Sequence, residues 1–337
     1  MRYMVVWYAM PPAEGCDMKL IQNPDDLTRT VLSEAERTPD LRLRRILTTA
    51  VLHLHAFVRE AELTEAEFRQ ICGLIARCGQ LTNASHNEVV LAAGSLGVSA
   101  LVCLMNNGDG GERETTANLM GPFWRKDSPV TPQGGSIVRS QTPGDPVFVT
   151  AWVRDLDGRP VPDVEVDVWQ ASGEGFYENQ DPDQADMNLR GKFRTAADGS
   201  VRFRTVKPSG YPIPINGPVG AMIRLQGRHN MRPAHVHFLL HKPGYKTQFS
   251  QLYSSDDPNL DTDVQFGVTR ALVGQYVAHN SGPPPAADLV GPWYSLEHTF
   301  VITPGDDALP PPPITAKTDG PRPPLEVLAR TTQGVRH

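Results

Sequence analysis

The hydrophobic period of this chain changes at Asn106-Asn107-Gly108-Asp109-Gly110-Gly111, and that change limits the folds open to it. Before the break, apolar residues recur at three- and four-residue intervals. Leu43, Ile46, Leu47, Ala50, Val51 and Leu54 form one helical stripe. Thr64-Glu65-Ala66-Glu67 has the form of a capping box, and Phe68, Ile71, Ile75 and Cys78 follow on one face. Ser85-His86-Asn87-Glu88 has the same form and predicts one helix, apolar nearly all round, from Val89 to Met105. A helix with so few polar positions demands burial against a second domain or a second subunit.

After the break, proline and glycine are dense and apolar residues alternate. Val147–Val153 and Val164–Trp169 read as strands of period two. Further strands are expected near Val201–Thr205, Ala221–Leu225, His235–His241, Phe249–Tyr253 and His298–Thr303. Asp155-Leu156-Asp157-Gly158 and Ala197-Asp198-Gly199-Ser200 read as tight turns. Short strands at this spacing predict a β-sandwich or barrel. The expected fold class is therefore mixed: a helical region over 25–107, an all-β sandwich over 108–308, and a proline-rich tail over 309–337 that is extended or mobile. Residues 1–24 carry no usable period, and Pro11-Pro12 breaks any early element.

Composition excludes several partners. The net charge of -6, with no Lys/Arg-rich stripe, gives no electrostatic footprint for nucleic acid. No run approaches the roughly 18 apolar residues of a membrane span. The apolar run Met4–Met10 is too short, and too poorly flanked by basic residues, for a signal peptide. Cys16, Cys72, Cys78 and Cys103 include no CxxC pair and read as reduced thiols of a cytoplasmic protein.

The chemistry concentrates in Met231-Arg232-Pro233-Ala234-His235-Val236-His237-Phe238-Leu239-Leu240. In a strand, His235 and His237 share one face and Val236 points to the other. Two such imidazoles can share a metal ion, or they can be half-buried polar residues of a sheet. Leu240 and His241 stand where a cupin site would place its glutamate, and His237 stands where a facial triad would place a carboxylate. A zinc hydrolase would need a further ligand from elsewhere. Tyr211, fixed within Pro208-Ser209-Gly210-Tyr211-Pro212-Ile213-Pro214, and Tyr177, in the loop Ser172-Gly173-Glu174-Gly175-Phe176-Tyr177, are candidates. Each could instead be a core residue whose hydroxyl caps backbone. A phenol of pKa about 10 ionises near neutral pH only beside a strong Lewis acid. Two phenolates with two imidazoles would favour Fe(III) over zinc or cuprous ions. His53 and His55 fall on different faces of a helix and read as structural.

Pro208-Ser209-Gly210-Tyr211, Gly227-Arg228-His229 and Arg232-Pro233-Ala234-His235-Val236-His237-Phe238 resemble the signature of the intradiol ring-cleaving dioxygenases. So do Leu119-Met120-Gly121-Pro122-Phe123 and Asp167-Val168-Trp169-Gln170-Ala171. The resemblance runs from about residue 30 to residue 305 and includes the family's Tyr-x23-His-x-His spacing from Tyr211. It implies one non-haem Fe(III) per chain, held by Tyr177, Tyr211, His235 and His237, with solvent as fifth ligand. Tyr211 and His237 would be the axial pair, and Tyr177 and His235 equatorial. The implied activity belongs to aromatic hydrocarbon catabolism. A vicinal aromatic diol is cleaved by O2 between its two hydroxylated carbons, giving a cis,cis-muconate-type product. The diol would displace the solvent ligand and Tyr211, and the departing phenolate and the metal-bound hydroxide would take the two substrate protons, so no separate histidine base is required.

By the same resemblance, Arg232 stabilises charge developing on the ring, and Gln251 supports the site from behind. Arg190 and Arg228 are structural, and His229 is no ligand. The helical region would form a homodimer interface, where related enzymes hold phospholipid. Tyr211-Pro212-Ile213-Pro214 and Gly121-Pro122-Phe123 resemble the hydroxyquinol (1,2,4-trihydroxybenzene) branch, whose product is 3-hydroxy-cis,cis-muconate or maleylacetate. Leu81, Ala84, Leu119, Met120, Gly121, Ile213, Pro214 and Gln265 occupy the ring-lining positions of that branch. Met120 replaces a usual aromatic residue and Gln265 a usual aliphatic one, which leaves catechol and chlorocatechol open as substrates. Two other classes compete: a metal-free β-sandwich binding module and a zinc hydrolase built on the histidine pair. A colourless, iron-replete protein would favour the first, and one zinc per chain the second.

Overall fold

The computed structural model describes residues 20–106 and 114–330. The expectations for Pro11-Pro12, Cys16, the break following Asn106 and residues 331–337 of the tail lie outside the described residues. The chain divides into two compact units between Gly73 and Leu74. That division falls inside a helix rather than at the glycine-rich break.

The first unit holds α1 (Pro24–Glu36), α2 (Leu41–Glu60) and the start of α3 (Glu65–Leu81). Local capping explains the helix starts. Asn23 accepts from the Asp25 and Asp26 amides ahead of α1, and Asp40 accepts from Leu43 ahead of α2. The Thr64 amide donates to Glu67 at 2.9 Å while the Glu67 amide donates to Thr64 Oγ1 at 3.3 Å, the reciprocal box read from the sequence. Thr28 Oγ1 meets His55 Nδ1 at 2.9 Å, so His55 ties α1 to α2. Most of the stripe on α2 is not buried within this chain, for Leu43, Ile46, Leu47 and Leu54 are all exposed.

In the second unit the single helix expected over Val89–Met105 is two, α4 (Glu88–Ser95) and α5 (Val98–Asn106), bent by 74°. Gly97, at φ 74°, takes the left-handed conformation that ends α4. The cap is Asn87, which accepts from Val90, rather than Ser85. Within the chain the expected burial is met only in part: Leu91 is buried, while Leu96, Leu101, Val102 and Met105 are exposed. Among the described residues no single helix is long and apolar enough to cross a membrane; α4 and α5 reach that length and composition only as the bent pair.

The strands are β1 (Pro146–Arg154), β2 (Glu165–Gln170), β3 (Arg190–Arg194), β4 (Ser200–Val206), β5 (Tyr211–Pro212), β6 (Met231–Arg232), β7 (His235–His241), β8 (Gln248–Ser254), β9 (Val273–Gly274), β10 (Tyr276–His279) and β11 (Trp293–Val301). One sheet has the order β10-β11-β1-β4 and the other β3-β2-β7-β8-β9, while β5 and β6 pair separately. The strand expected over Ala221–Leu225 is instead the end of α6 (Pro218–Leu225). Gly217 caps it, Pro218 sits in its first turn, and Val219 and Ile223 are four apart on its buried face.

The two sheets enclose one apolar core, in which Val149, Phe203 and Leu296 of the first face Val166, Phe238 and Leu252 of the second. The central strand β7 is covered on both faces. Val236, Phe238 and Leu240 enter that core, and Leu239 enters a second cluster with Trp124, Trp169, Tyr177 and Tyr211. His235 and His237, alternating with the core residues, share the face of Leu239.

The tail from Leu309 is extended as expected but is docked rather than mobile. Ile314 is buried in the second cluster. The Thr318 amide donates to the Asn179 carbonyl at 2.8 Å, and the Leu328 amide donates to Asn230 Oδ1 at 2.9 Å. A segment without helix or sheet must satisfy its buried amides by such contacts.

Asp167 on β2 is fully buried and accepts from the Trp124 indole at 3.1 Å. Burial pushes its carboxyl up to about 7. Its folded form therefore keeps a proton that the unfolded chain releases at about pH 4, and this contribution to stability is lost as pH rises from there to about 7. Asp167→Asn removes that dependence. We expect the melting temperature of the native chain to fall more between pH 5 and pH 8 than that of the variant; parallel melting curves would contradict it.

Candidate active site

Strand register assembles the site. His237 stands opposite Trp169 of β2 and Gln251 of β8, and His235 stands opposite Tyr253. The Trp169 ring stacks on His237 with centroids 4.6 Å apart and planes within 10°, which fixes the imidazole plane. Tyr211 pairs with Arg232 through β5 and β6. Tyr177 leads into a short 3-10 turn, Glu178–Gln180, and its amide donates to Gln180 Oε1 at 3.1 Å. Buried Glu178 accepts from Arg125 at 2.9 Å and Arg190 at 2.7 Å, so a charged network backs the turn that carries Tyr177. The expectation that Arg190 is structural agrees with this placement.

The four polar ends converge. Tyr177 Oη lies 3.4 Å from Tyr211 Oη, 3.3 Å from His235 Nε2 and 3.0 Å from His237 Nε2, and the two imidazole Nε2 atoms are 3.1 Å apart. All four side chains are buried. Donors sharing one first-row ion at about 2.0–2.1 Å stand roughly 2.9–3.4 Å apart, so this spacing fits a single cation. His235 Nδ1–H donates to the Pro233 carbonyl at 2.7 Å, which leaves the Nε2 lone pair facing the cluster. Burial, and next the Arg232 charge, lower His235 to about 3, so the ring is neutral. Burial and the His235 ring push His237 well below its ordinary value as well, and its Nδ1 is buried without a hydrogen-bond partner. Burial and then Tyr211 hold the Tyr177 phenol well above the ordinary tyrosine value. Only a strong local positive charge would ionise it. Among the described residues no group of three or more His, Cys, Asp or Glu converges, so a cation site here rests on the tyrosines.

Gly121 makes the approach possible. It has φ 71°, and a Cβ there would meet His237 Cε1 at 3.3 Å. Arg232 stands behind the cluster with Nη1 3.3 Å from His235 Nε2. Its Nη2 donates to Gln251 Oε1 and Tyr253 Oη, each at 3.0 Å, and its Nε donates to Asp263 at 3.2 Å. Burial alone would lower the guanidinium, but Asp263 and the tyrosines hold it well above its ordinary value, so it is a fixed cation.

A cavity of about 330 Å³ opens beside these groups. Of the ring-lining residues read from the sequence, Leu119, Met120, Gly121, Ile213, Pro214, Arg232 and Gln265 line it, together with Tyr211. Leu81 and Ala84 do not. Leu81 ends α3 beside Gly217, and the Ala84 carbonyl accepts from the tail at Thr315. Val90, Leu91, Val98 and Val102 of α4 and α5, unmarked in the sequence reading, also line the cavity. Gln251 does not line it either; its amide donates to the Leu119 carbonyl at 2.6 Å and holds the wall from behind. Tyr253 and Asp263, which orient Arg232, escape sequence reading because nothing near them in the chain marks them.

Residues 119–301 match a family profile described as "Dioxygenase", and residues 40–112 match one described as "Catechol dioxygenase N terminus". The chain is 36% identical to hydroxyquinol 1,2-dioxygenase of Nocardioides simplex, over 83% of this chain and 95% of that protein. It is equally 36% identical to 6-chlorohydroxyquinol 1,2-dioxygenase of Cupriavidus pinatubonensis, over 83% of this chain and 97% of that one. Among solved structures, hydroxyquinol 1,2-dioxygenase from Pseudomonas putida superposes with a TM-score of 0.74 at 35% identity, covering 84% of this chain and 99% of its own.

Arg232 and Asp263 form a buried ion pair, and removing one partner strands the other. Arg232→Ala is expected to cost about 3–5 kcal/mol in urea unfolding. Adding Asp263→Asn should restore part of that loss by removing the stranded charge. A single variant as stable as the native chain would contradict the pairing.

Proposed function

The chain belongs to the intradiol ring-cleavage dioxygenases, and on that premise we propose that it cleaves hydroxyquinol with O2 between its two adjacent hydroxylated carbons, giving 3-hydroxy-cis,cis-muconate or its tautomer maleylacetate. One observation carries the reading: two phenols and two neutral imidazoles meet within 3.0–3.4 Å at the wall of a ring-sized apolar cavity. The names of the relatives support the choice of diol.

We assign one Fe(III) per chain to Tyr177, Tyr211, His235 and His237, the donor set whose hardness and spacing suit a ferric ion. Bound there, ferric iron would draw electron density from a chelated diol and open a ring carbon to O2. The chain's own residues do the rest. The Pro233 carbonyl holds His235 in the tautomer whose Nε2 is free to ligate. Tyr211 reaches the cavity wall, so its phenolate oxygen can take a proton from an incoming diol hydroxyl. Arg232, cationic and dry, offers fixed positive charge to oxygen atoms on the ring. Leu119, Met120 and Phe123 exclude water from the ring face. Gln265, whose Nε2 donates to Ser95 Oγ at 2.6 Å, presents an amide to the third hydroxyl that catechol lacks.

We further infer a homodimer joined through the N-terminal helices. The exposed Ile46, Leu54 and Phe57 of α2 support it, and a phospholipid would share that apolar surface. Cytoplasmic residence is supported by the free thiols of Cys72 and Cys78.

Oxygen uptake with hydroxyquinol, catechol and chlorocatechol tests the substrate, with hydroxyquinol expected to give the highest kcat/KM. Gln265→Leu should lower kcat/KM for hydroxyquinol roughly tenfold and leave catechol within about twofold. An equal fall for both would remove Gln265 from recognition. Tyr177→Phe should lose much of the visible absorption and the turnover while circular dichroism stays native; unchanged turnover would remove Tyr177 from the site.

A further inference from the structure

The proline-rich tail touches each of the segments that carry the phenols. At Thr315 its amide donates to the Ala84 carbonyl at 3.1 Å, next to the start of α4. At Thr318 it donates to the Asn179 carbonyl at 2.8 Å, two residues beyond Tyr177. Arg322 then grips Asp181 with both arms of its fork, Nε to Oδ1 at 3.0 Å and Nη2 to Oδ2 at 2.7 Å. The same guanidinium lies over the Phe176 ring at 4.9 Å, immediately before Tyr177. Further on, Asn230 joins the tail to the Tyr211 segment. Its Nδ2 donates to the Glu326 carbonyl and to the Ile213 carbonyl, each at 2.9 Å, and its Oδ1 accepts from the Leu328 amide.

We propose that residues 314–328 act as a strap that sets the separation of the two phenols, and that Arg322 is a positioning residue acting on Tyr177 through Asp181 and Phe176. The inference rests on the functional reading above, in which Tyr177 and Tyr211 ligate one ferric ion. Surface ion pairs contribute little in general, but this one differs in kind. The Asp181 carboxylate is fully buried while Arg322 is about one-third exposed, and the contact is bidentate. Losing Arg322 leaves Asp181 with the Asp183 amide and the Gln184 side chain but without its counter-charge at the foot of the Tyr177 turn. The strap has a second anchor at Asn230, so a displacement at one end is carried to the Tyr211 segment at the other.

The test compares the native chain with Arg322→Ala and Arg322→Lys in two measurements. In the iron-loaded proteins, the visible tyrosinate band and the rate of iron loss to a chelator are read. Arg322→Ala should shift the band and release iron about tenfold faster, the lower end of the effect of outer partners on metal sites. Arg322→Lys, which keeps the charge but not the fork, should fall between. In the metal-free proteins, amide hydrogen exchange is read over residues 176–184 and 211–214. Arg322→Ala should quicken exchange in both segments. Faster exchange confined to 176–184, or a band and iron release unchanged from the native chain, would overturn the strap. A native chain that takes up iron without any visible band would instead overturn the functional reading, and the exchange measurement would still decide the strap.

Discussion

Two imidazole nitrogens, His235 Nε2 and His237 Nε2, stand 3.1 Å apart in a buried cluster, close enough to share one proton or, with both lone pairs turned inward, to hold one cation between them. Tyr177 presses the same point, since burial makes ionisation of its phenol costly on its own. A buried polar atom without a partner costs about 1–3 kcal/mol. At the cluster His237 Nδ1 is such an atom, while the four converging ends are partnered by one another, contacts that a shared cation would replace. Much of the surrounding architecture keeps the four donors from relaxing away from one another. Trp169 clamps one imidazole by stacking, Pro233 orients the other, and the turn after β2 and the β5–β6 pair carry the phenols in from the side.

The charges around the cluster are arranged in pairs. Arg232 is answered by Asp263, and Glu178 by Arg125 and Arg190, all of them buried or nearly so. Such pairs hold polar groups in one geometry more than they add stability. Behind Tyr177 the pair fixes a turn, and behind His235 it fixes a cation at the cavity wall. The apolar cavity is therefore bordered by rigid charge on one side and by the adaptable wall of α4, α5 and Met120 on the other.

What the sequence reveals depends on how local the cause is. The alternation that puts His235 and His237 on one face is a property of any strand, and the Thr64 capping box involves neighbours only, so both are legible. Ala221–Leu225 is a short apolar run that suits strand or helix alike, and Pro218 with Gly217 decides it. The break at Gly97 is invisible in a run that is apolar on every side. Tyr253, Asp263 and the docked tail are read only once the register of β7 on β8 and the path of the chain past Asn179 and Asn230 are known. Leu81 and Ala84 follow from resemblance to relatives, while Val90, Leu91, Val98 and Val102 line the cavity with no pattern in the sequence to mark them.

The central claim is that Tyr177, Tyr211, His235 and His237 grip one ferric ion. The most direct measurement is elemental analysis of the purified full chain beside resonance Raman spectra excited in its visible band. The account predicts one iron per chain and ring modes of two distinct tyrosinates. A folded chain that binds zinc in place of iron, or iron with no tyrosinate modes, would contradict it.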